Sequence, residues 1–210
     1  MRQISREEIL DTLRTAPPPG HEKRAWHIGN KCGQLVGWLT TDDAKFLIDW
    51  LPEVGLSYGK PMQIVEVGTF AGSTARGLIC LSGGGNITCI DNFLDMNAAT
   101  LGGRPSGRAY WEETVGSHPD LLPYATLLEG ESSEIGKAWN KPIDLLFVDG
   151  DHSYEGATSD LTLFAKHIVA GGYLMVDDCH MPAVQKAVCD YLPGCWDSIR
   201  NANLSVFRRQ

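Results

Sequence analysis

From Met62 onward the chain alternates between two hydrophobic rhythms. Short apolar runs at 63–67, 87–91, 125–129, 143–149 and 173–177 have the length and β-branched content of strands. The first, with Ile64, Val65 and Val67, suits a strand covered on both faces. Between the runs lie segments with helical spacing at 73–81, 133–139, 154–168 and 182–192, and Tyr110–Val115 is a further short helical stretch. Glycines at 83–85 and 171–172 turn the chain between elements. Cys195–Ile199 and Leu204–Phe207 read as a hairpin around Asn201, Ala202 and Asn203. Strands alternating with helices specify a doubly wound α/β sheet, mostly parallel, which here ends in an antiparallel hairpin. Ligands of such a sheet bind in the crevice at the carboxyl ends of the strands.

Ahead of this pattern the chain predicts helices. Ser5 and Glu8 form a capping box, Ile4 and Ile9 a hydrophobic staple, and Ile9, Leu10 and Leu13 an apolar stripe over residues 1–16. Pro17, Pro18, Pro19 and Gly20 end it. Residues 21–40, with Trp26, His27, Trp38 and three glycines, read as a loop or broken helix packed over another surface. Thr40 caps a helix through Leu51, with Asp42 and Asp43 in its first turn, and Pro52 is expected to end it. The expected organisation is an N-terminal helical extension and substrate lid at 1–60 and a ligand-binding domain at 61–210. The amphipathic first helix offers a surface for a second subunit, as in a homodimer. The connection at 92–110 has the length of a functional lid or a disordered segment.

Composition narrows the class. Eighteen basic against 26 acidic residues give a formal charge of −8, and no Lys/Arg run exceeds two residues. That balance argues against a nucleic-acid partner. No stretch approaches the ~20 apolar residues of a membrane span, and the N-terminus lacks the apolar core of a signal peptide, so neither membrane association nor export is expected. Six scattered cysteines without a C-x-x-C pair predict reduced, mostly buried thiols in a cytoplasmic protein.

The candidate chemistry gathers at the strand ends. Ile64–Thr74 reads as strand, glycine turn and helix start, with Gly68 and Gly72 free of side chains and Ser73 and Thr74 opening the helix. A helix N-terminus favours an anionic group. Counting from Gly68, the second and third glycine places of a dinucleotide fingerprint hold Phe70 and Ser73, so a pyrophosphate would meet a phenyl ring. A ligand with a carboxylate and an ammonium fits better, and Glu66 suits the ammonium. Asp91, 23 residues beyond Gly68, stands where an acid accepts both ribose hydroxyls; a turn aspartate before Asn92 is the plainer alternative. Gly130-Glu131-Ser132 could flank an adenine, and Ser132 equally suits a helix cap. Asp149, Asp177 and Asp178 end the fourth and fifth strands and can coordinate a hard cation such as Mg²⁺. His152 and His180 beside them are general-base candidates, with satisfied turn residues as the alternative and a zinc site as a further one.

Taken together, Glu66-Val-Gly68-Thr69-Phe70-Ala-Gly72-Ser73, Asp91, Gly130-Glu131-Ser132, Ile143 to His152 and Gly171 to Asp178 resemble the class I S-adenosylmethionine-dependent methyltransferases. More narrowly, they resemble the catechol O-methyltransferase-like branch and the bacterial small-molecule methyltransferases carrying D-G-D-H-S-Y-E. The resemblance runs through residues 62–192 and implies a Rossmann-like fold. It places Glu66, Gly68, Thr69, Phe70, Gly72, Ser73, Asp91, Asn92, Glu131, Ser132 and Asp149 around S-adenosyl-L-methionine, and Asp149, Asp177 and Asp178 around Mg²⁺. It makes His152 or His180 the base. The chain departs from the metal-dependent branch in having Asp177-Asp178 where that branch has Asp-Asn, and His152 where it has a lysine. The implied activity is methyl transfer to an oxygen of a small-molecule acceptor, walled by Trp26, His27, Met96, Tyr110 and Trp111. N- or C-methylation without metal, an NAD-linked oxidoreductase and a non-methylating relative are the competing readings.

Overall fold

The computed structural model describes residues 39–94, 106–192 and 195–210. The expected helix at 1–16, Trp26, His27 and most of the 92–110 connection with Met96 lie outside the described residues.

Seven strands form one sheet in the order β3-β2-β1-β4-β5-β7-β6. They are β1 (Gln63–Val67), β2 (Asn86–Asp91), β3 (Ala125–Glu129), β4 (Ile143–Val148), β5 (Ile168–Val176), β6 (Trp196–Arg200) and β7 (Ser205–Arg209). β1 and β5 both run parallel to β4, with Ile64 opposite Leu145 and Leu145 opposite Tyr173. β7 is antiparallel to β5 and to β6, which is the C-terminal hairpin that the sequence predicts. β4 is buried at every position, as a strand covered on both faces must be.

Two compact units make up the chain. One comprises 39–62, 70–86 and 106–125, and the other 63–69, 87–94 and 126–210. In the second unit, alternate strand residues Val65, Val67, Leu146, Val148, Leu174 and Val176 share a core with α4 (Ser132–Ala138), α5 (Tyr154–Phe164) and α6 (Pro182–Tyr191). Leu161 and Phe164 of α5 and Ala187 of α6 are fully buried there. Removing side chains of this size from water is worth about 1.5–3 kcal/mol each for the larger ones, which is what holds the helices to the sheet.

The first unit corrects one expectation. α1 does not end before Pro52 but runs Thr41–Tyr58, capped by Thr40 at its start and by Gly59 with φ 63° at its end. A proline removes one helical hydrogen bond. The stripe of Leu47, Leu51 and Val54, all at most 6% exposed, continues across it, and that burial outweighs the lost bond. The same unit contains α2 (Ser73–Leu81) and α3 (Gly107–Trp111), the latter followed by a π-turn closed by Ser117 N donating to Glu112 O at 2.7 Å.

The second unit corrects another. α5 stops at Phe164, and β5 begins at Ile168 rather than at Tyr173. Ile168 pairs with Ile143, and the register then shifts before Leu145 pairs with Tyr173. Gly171, with φ 78°, absorbs that irregularity. Cys89 and Cys179 are buried, whereas Cys189 and Cys195 are exposed, so the expectation of mostly buried thiols holds only in part. Among the described residues no helix is long and apolar enough to cross a membrane.

Candidate active site

A ladder of backbone bonds aligns the carboxyl ends of the strands in the second unit. Gly68 N donates to Ile90 O at 2.9 Å, Asp149 N to Val67 O at 2.9 Å, Asp177 N to Val148 O at 3.0 Å, and Gly130 N to Asp91 O at 2.9 Å. The ladder brings Glu66, Asp91, Asp149 and Asp177-Asp178 to one edge of the sheet. Gly68 must be glycine. Its φ is 86°, and a Cβ would lie 2.0 Å from Asp149 O.

Glu66 is fully buried, and neither carboxylate oxygen has a hydrogen-bond partner among the described residues. Burial pushes its pKa from the usual 4.5 to about 8, and the charges of Asp149 and Asp91 add to the shift. The Thr69 and Cys89 side chains beside it favour the charged form and oppose the shift only in part. A buried acid in this state is neutral near pH 7 and gains its charge when a cation arrives.

At the next strand ends, Asp91 Oδ1 accepts from Phe93 N at 2.7 Å. Asn92 Nδ2 donates to Glu131 Oε1 at 3.0 Å, tying the β2 end to the start of α4. Ser132, whose alternative role was a helix cap, instead donates its hydroxyl to Asp160 Oδ1 at 2.6 Å. Asp160 is 2% exposed and is a site residue that the sequence reading misses. It lies directly below the turn after β4, where a Cβ on Gly150 would stand 3.0 Å from its Oδ2. A signal was available. Asp160 shares the core-facing stripe of Ala157, Leu161 and Phe164, where an acid is out of place.

Burial raises Asp160 to about 6, with Asp151 adding to the shift and Ser132 opposing it. A carboxyl raised in the folded state contributes stability that is complete below its unfolded pKa and is lost as pH rises through about 6. Asp160→Asn keeps an acceptor for Ser132 and removes the ionisation. We therefore expect Asp160→Asn to melt a few degrees above wild type at neutral pH, on the order of 2 kcal/mol, and to lose that advantage near pH 4. A Tm difference that stays constant across that range would contradict the assignment.

The ends of β4 and β5 hold a tighter group. Ligand atoms of Asp149, His152 and Asp178 all lie within 4.8 Å of one another. His152 Nε2 is 3.2 Å from Asp178 Oδ2 and 3.6 Å from Asp149 Oδ1. His180 Nδ1 is 3.5 Å from the other oxygen of Asp178. The carboxylates, Asp149 foremost, hold the pKa of His152 above its usual value against the opposing effect of burial. Asp177 is placed differently from its neighbour. It is 3% exposed and accepts from Asn203 Nδ2 at 2.8 Å. Of the three acids expected to bind a cation, Asp149 and Asp178 meet, with His152 as the third member of the group. Two carboxylates and an imidazole within this distance can bind a divalent cation or share a proton.

Phe70, Gly72 and Ser73 belong to the first unit. Phe70 has φ 45°, and its ring is tilted against Tyr110 at 6.2 Å. A Cβ on Gly72 would lie 2.7 Å from Val115 Cγ2, and Ser73 is buried at the start of α2. Trp111 is also buried there.

The profile of a methyltransferase domain matches residues 65–179, which spans β1 to the loop after β5. An uncharacterized protein of Acanthamoeba polyphaga mimivirus, R132, is 42% identical over 60 residues, a match covering 25% of this chain and 27% of the viral protein. Solved structures share the fold at low identity. The O-methyltransferase NovP superposes with TM-score 0.63 and 19% identity over 97% of this chain and 96% of its own. CalS11, a TDP-rhamnose 3'-O-methyltransferase of calicheamicin biosynthesis, does so with TM-score 0.61 and 17% identity over 97% and 92%. A putative caffeoyl-CoA O-methyltransferase from Staphylococcus aureus gives TM-score 0.57 and 13% identity over 98% and 92%. With more than half of the sequence matched by the domain profile, and with a fold shared with these structures, the chain belongs to the methyltransferase-domain family.

Proposed function

We propose that this chain is an S-adenosylmethionine-dependent methyltransferase that acts on a hydroxyl oxygen of a small-molecule acceptor, with a divalent cation, Mg²⁺, assisting at the ends of β4 and β5. The grouping of Asp149, His152 and Asp178 carries the reading, and within it the Asp149 charge reaches the buried Glu66. The names of NovP and CalS11 as O-methyltransferases support oxygen as the atom that is methylated.

The residues fit the methyl donor. Glu66 offers a buried carboxylate with no hydrogen bond of its own, which the ammonium of the methionine moiety would satisfy. Gly68 lets the turn after β1 pack directly against the Asp149 main chain, where a Cβ would lie 2.0 Å from the carbonyl oxygen. Asp91 would take the ribose hydroxyls. The joined Asn92–Glu131 pair and Ser132, anchored on Asp160, would border the adenine. The donor supplies a strongly electrophilic sulfonium methyl, so the protein's work is alignment and proton removal.

The residues also fit a hard cation, which Asp149 and Asp178 would hold beside His152. Such a cation lowers the pKa of a hydroxyl bound to it. His152 and His180 flank Asp178, one near each carboxylate oxygen, so a proton leaving the acceptor has an imidazole on either side. Methyl-labelled S-adenosylmethionine offered to a panel of phenols, sugars and amines tests the proposal. Label on hydroxyl products, lost with chelator and restored by Mg²⁺, is the expected result. Label on amines alone, or transfer indifferent to chelator, would refute it.

A further inference from the structure

We propose that Asn203, in the turn of the C-terminal hairpin, is a positioning residue that sets the orientation of Asp178 and the tautomer of His180. The proposal rests on the reading of Asp178 as a site acid, but the clamp itself is visible without it.

Asn203 makes three contacts that straddle Asp178 in sequence. Its Nδ2 donates to Asp177 Oδ1 at 2.8 Å. Its Oδ1 meets Nδ1 of His180. Its main-chain oxygen accepts from Cys179 N at 2.9 Å. Between these anchors Asp178 adopts φ 53°, in the left-handed region that few residues other than glycine enter. Met181 N, donating to Asp178 O at 2.8 Å, closes the loop. The strained backbone turns Asp178 away from its buried neighbour Asp177 and presents one oxygen to His152 and the other to His180.

The bonds also fix protons. A carboxylate only accepts, so the nitrogen of the Asn203 amide faces Asp177 and its oxygen faces His180. An amide oxygen likewise only accepts, so Nδ1 of His180 carries the hydrogen. Asp178 Oδ1, 3.5 Å from the same Nδ1, favours the same assignment. In neutral His180 the lone pair is therefore on Nε2. The turn that does this is also held by Ser205, whose Oγ donates to Ala202 O at 2.9 Å and accepts from Ala202 N at 3.3 Å. Ser205→Ala thus loosens the hairpin turn and frees the Cys179 thiol from the Ser205 side chain, while leaving both side-chain bonds of Asn203 in place.

Long-range proton–nitrogen correlation spectra of the ligand-free protein, recorded at an alkaline pH where the ring nitrogen shifts themselves report a neutral His180, read the clamp directly. Wild type and Ser205→Ala should show His180 as the Nδ1–H tautomer, and Asn203→Ala should lose it. An Nε2–H tautomer in wild type, or an unchanged tautomer in Asn203→Ala, overturns the proposal. On the same proteins, Mn²⁺ affinity read by electron paramagnetic resonance should fall at least about tenfold in Asn203→Ala, with S-adenosylhomocysteine affinity within about twofold and kcat lowered rather than KM raised. Equal losses of Mn²⁺ affinity in Ser205→Ala and Asn203→Ala would reduce Asn203 to an ordinary turn residue and also overturn it. Wild-type protein that binds no Mn²⁺ would sink the metal reading instead, and the His180 tautomer would still decide the clamp.

Discussion

Replacing Glu66 with glutamine should weaken S-adenosylhomocysteine binding by at least about 100-fold while making the ligand-free protein more stable at alkaline pH. The two halves have one cause. Glu66 sits fully buried with neither oxygen hydrogen-bonded among the described residues, and its pKa is lifted from 4.5 to about 8. The displacement is worth on the order of 5 kcal/mol between the two protonation states. Because the folded pKa is the raised one, the stabilisation is whole below pH 4.5 and is lost as pH climbs through about 8. Glutamine does not ionise and escapes that loss. The Tm difference, variant minus wild type, should therefore grow by several degrees between pH 6 and pH 9. The ligand ammonium reverses the balance. On the proposed binding mode it would give the carboxylate a partner, and removing one member of a buried charged pair costs about 2–5 kcal/mol. A variant that binds the ligand normally, or whose relative Tm is flat with pH, would show that Glu66 is a structural acid only.

The second large effect is expected at Asp178. Asp178→Asn keeps the side-chain shape and removes the charge that His152 and His180 share. We expect kcat/KM to fall about 100-fold or more, Mn²⁺ affinity to fall with it, and S-adenosylhomocysteine affinity to stay within about twofold. The split follows from the geometry. Glu66, Gly68 and Asp91 lie at the β1 and β2 ends, whereas Asp178 belongs to the group with Asp149 and His152 at the β4 and β5 ends. An unchanged rate in Asp178→Asn, measured at saturating Mg²⁺, would remove the cation from the mechanism. A large loss of S-adenosylhomocysteine binding would mean that Asp178 supports the donor rather than the acceptor.

The sequence makes the sheet legible because its rhythm is strong. Buried strands such as Ile143–Val148 have no polar face to blur them, and each ends in an acid that marks the crevice. The hairpin is legible for the same reason, and its turn residues suit a turn. What a one-dimensional pattern does not carry is direction. Asp177 and Asp178 are equivalent as letters, yet the φ of 53° at Asp178 sends the second carboxylate to His152 while the first is buried against Asn203. Asn203 hides behind its own turn propensity, since asparagine at a turn needs no further reason. Asp160 hides among helix residues, although its place on the apolar stripe gives it away once the helix is drawn as a wheel. Pro52 misleads in the opposite sense, because the breaker rule is local and the burial of Leu51 and Val54 is not.

The most direct test of the account is calorimetric titration of wild-type protein with S-adenosylhomocysteine at pH 7 in two buffers of different ionisation enthalpy. If Glu66 is the protonated acid that receives the ligand ammonium, binding occurs at one site and releases close to one proton, seen as a heat that changes with buffer. Absence of binding, or binding whose heat is the same in both buffers and survives in Glu66→Gln, would contradict it.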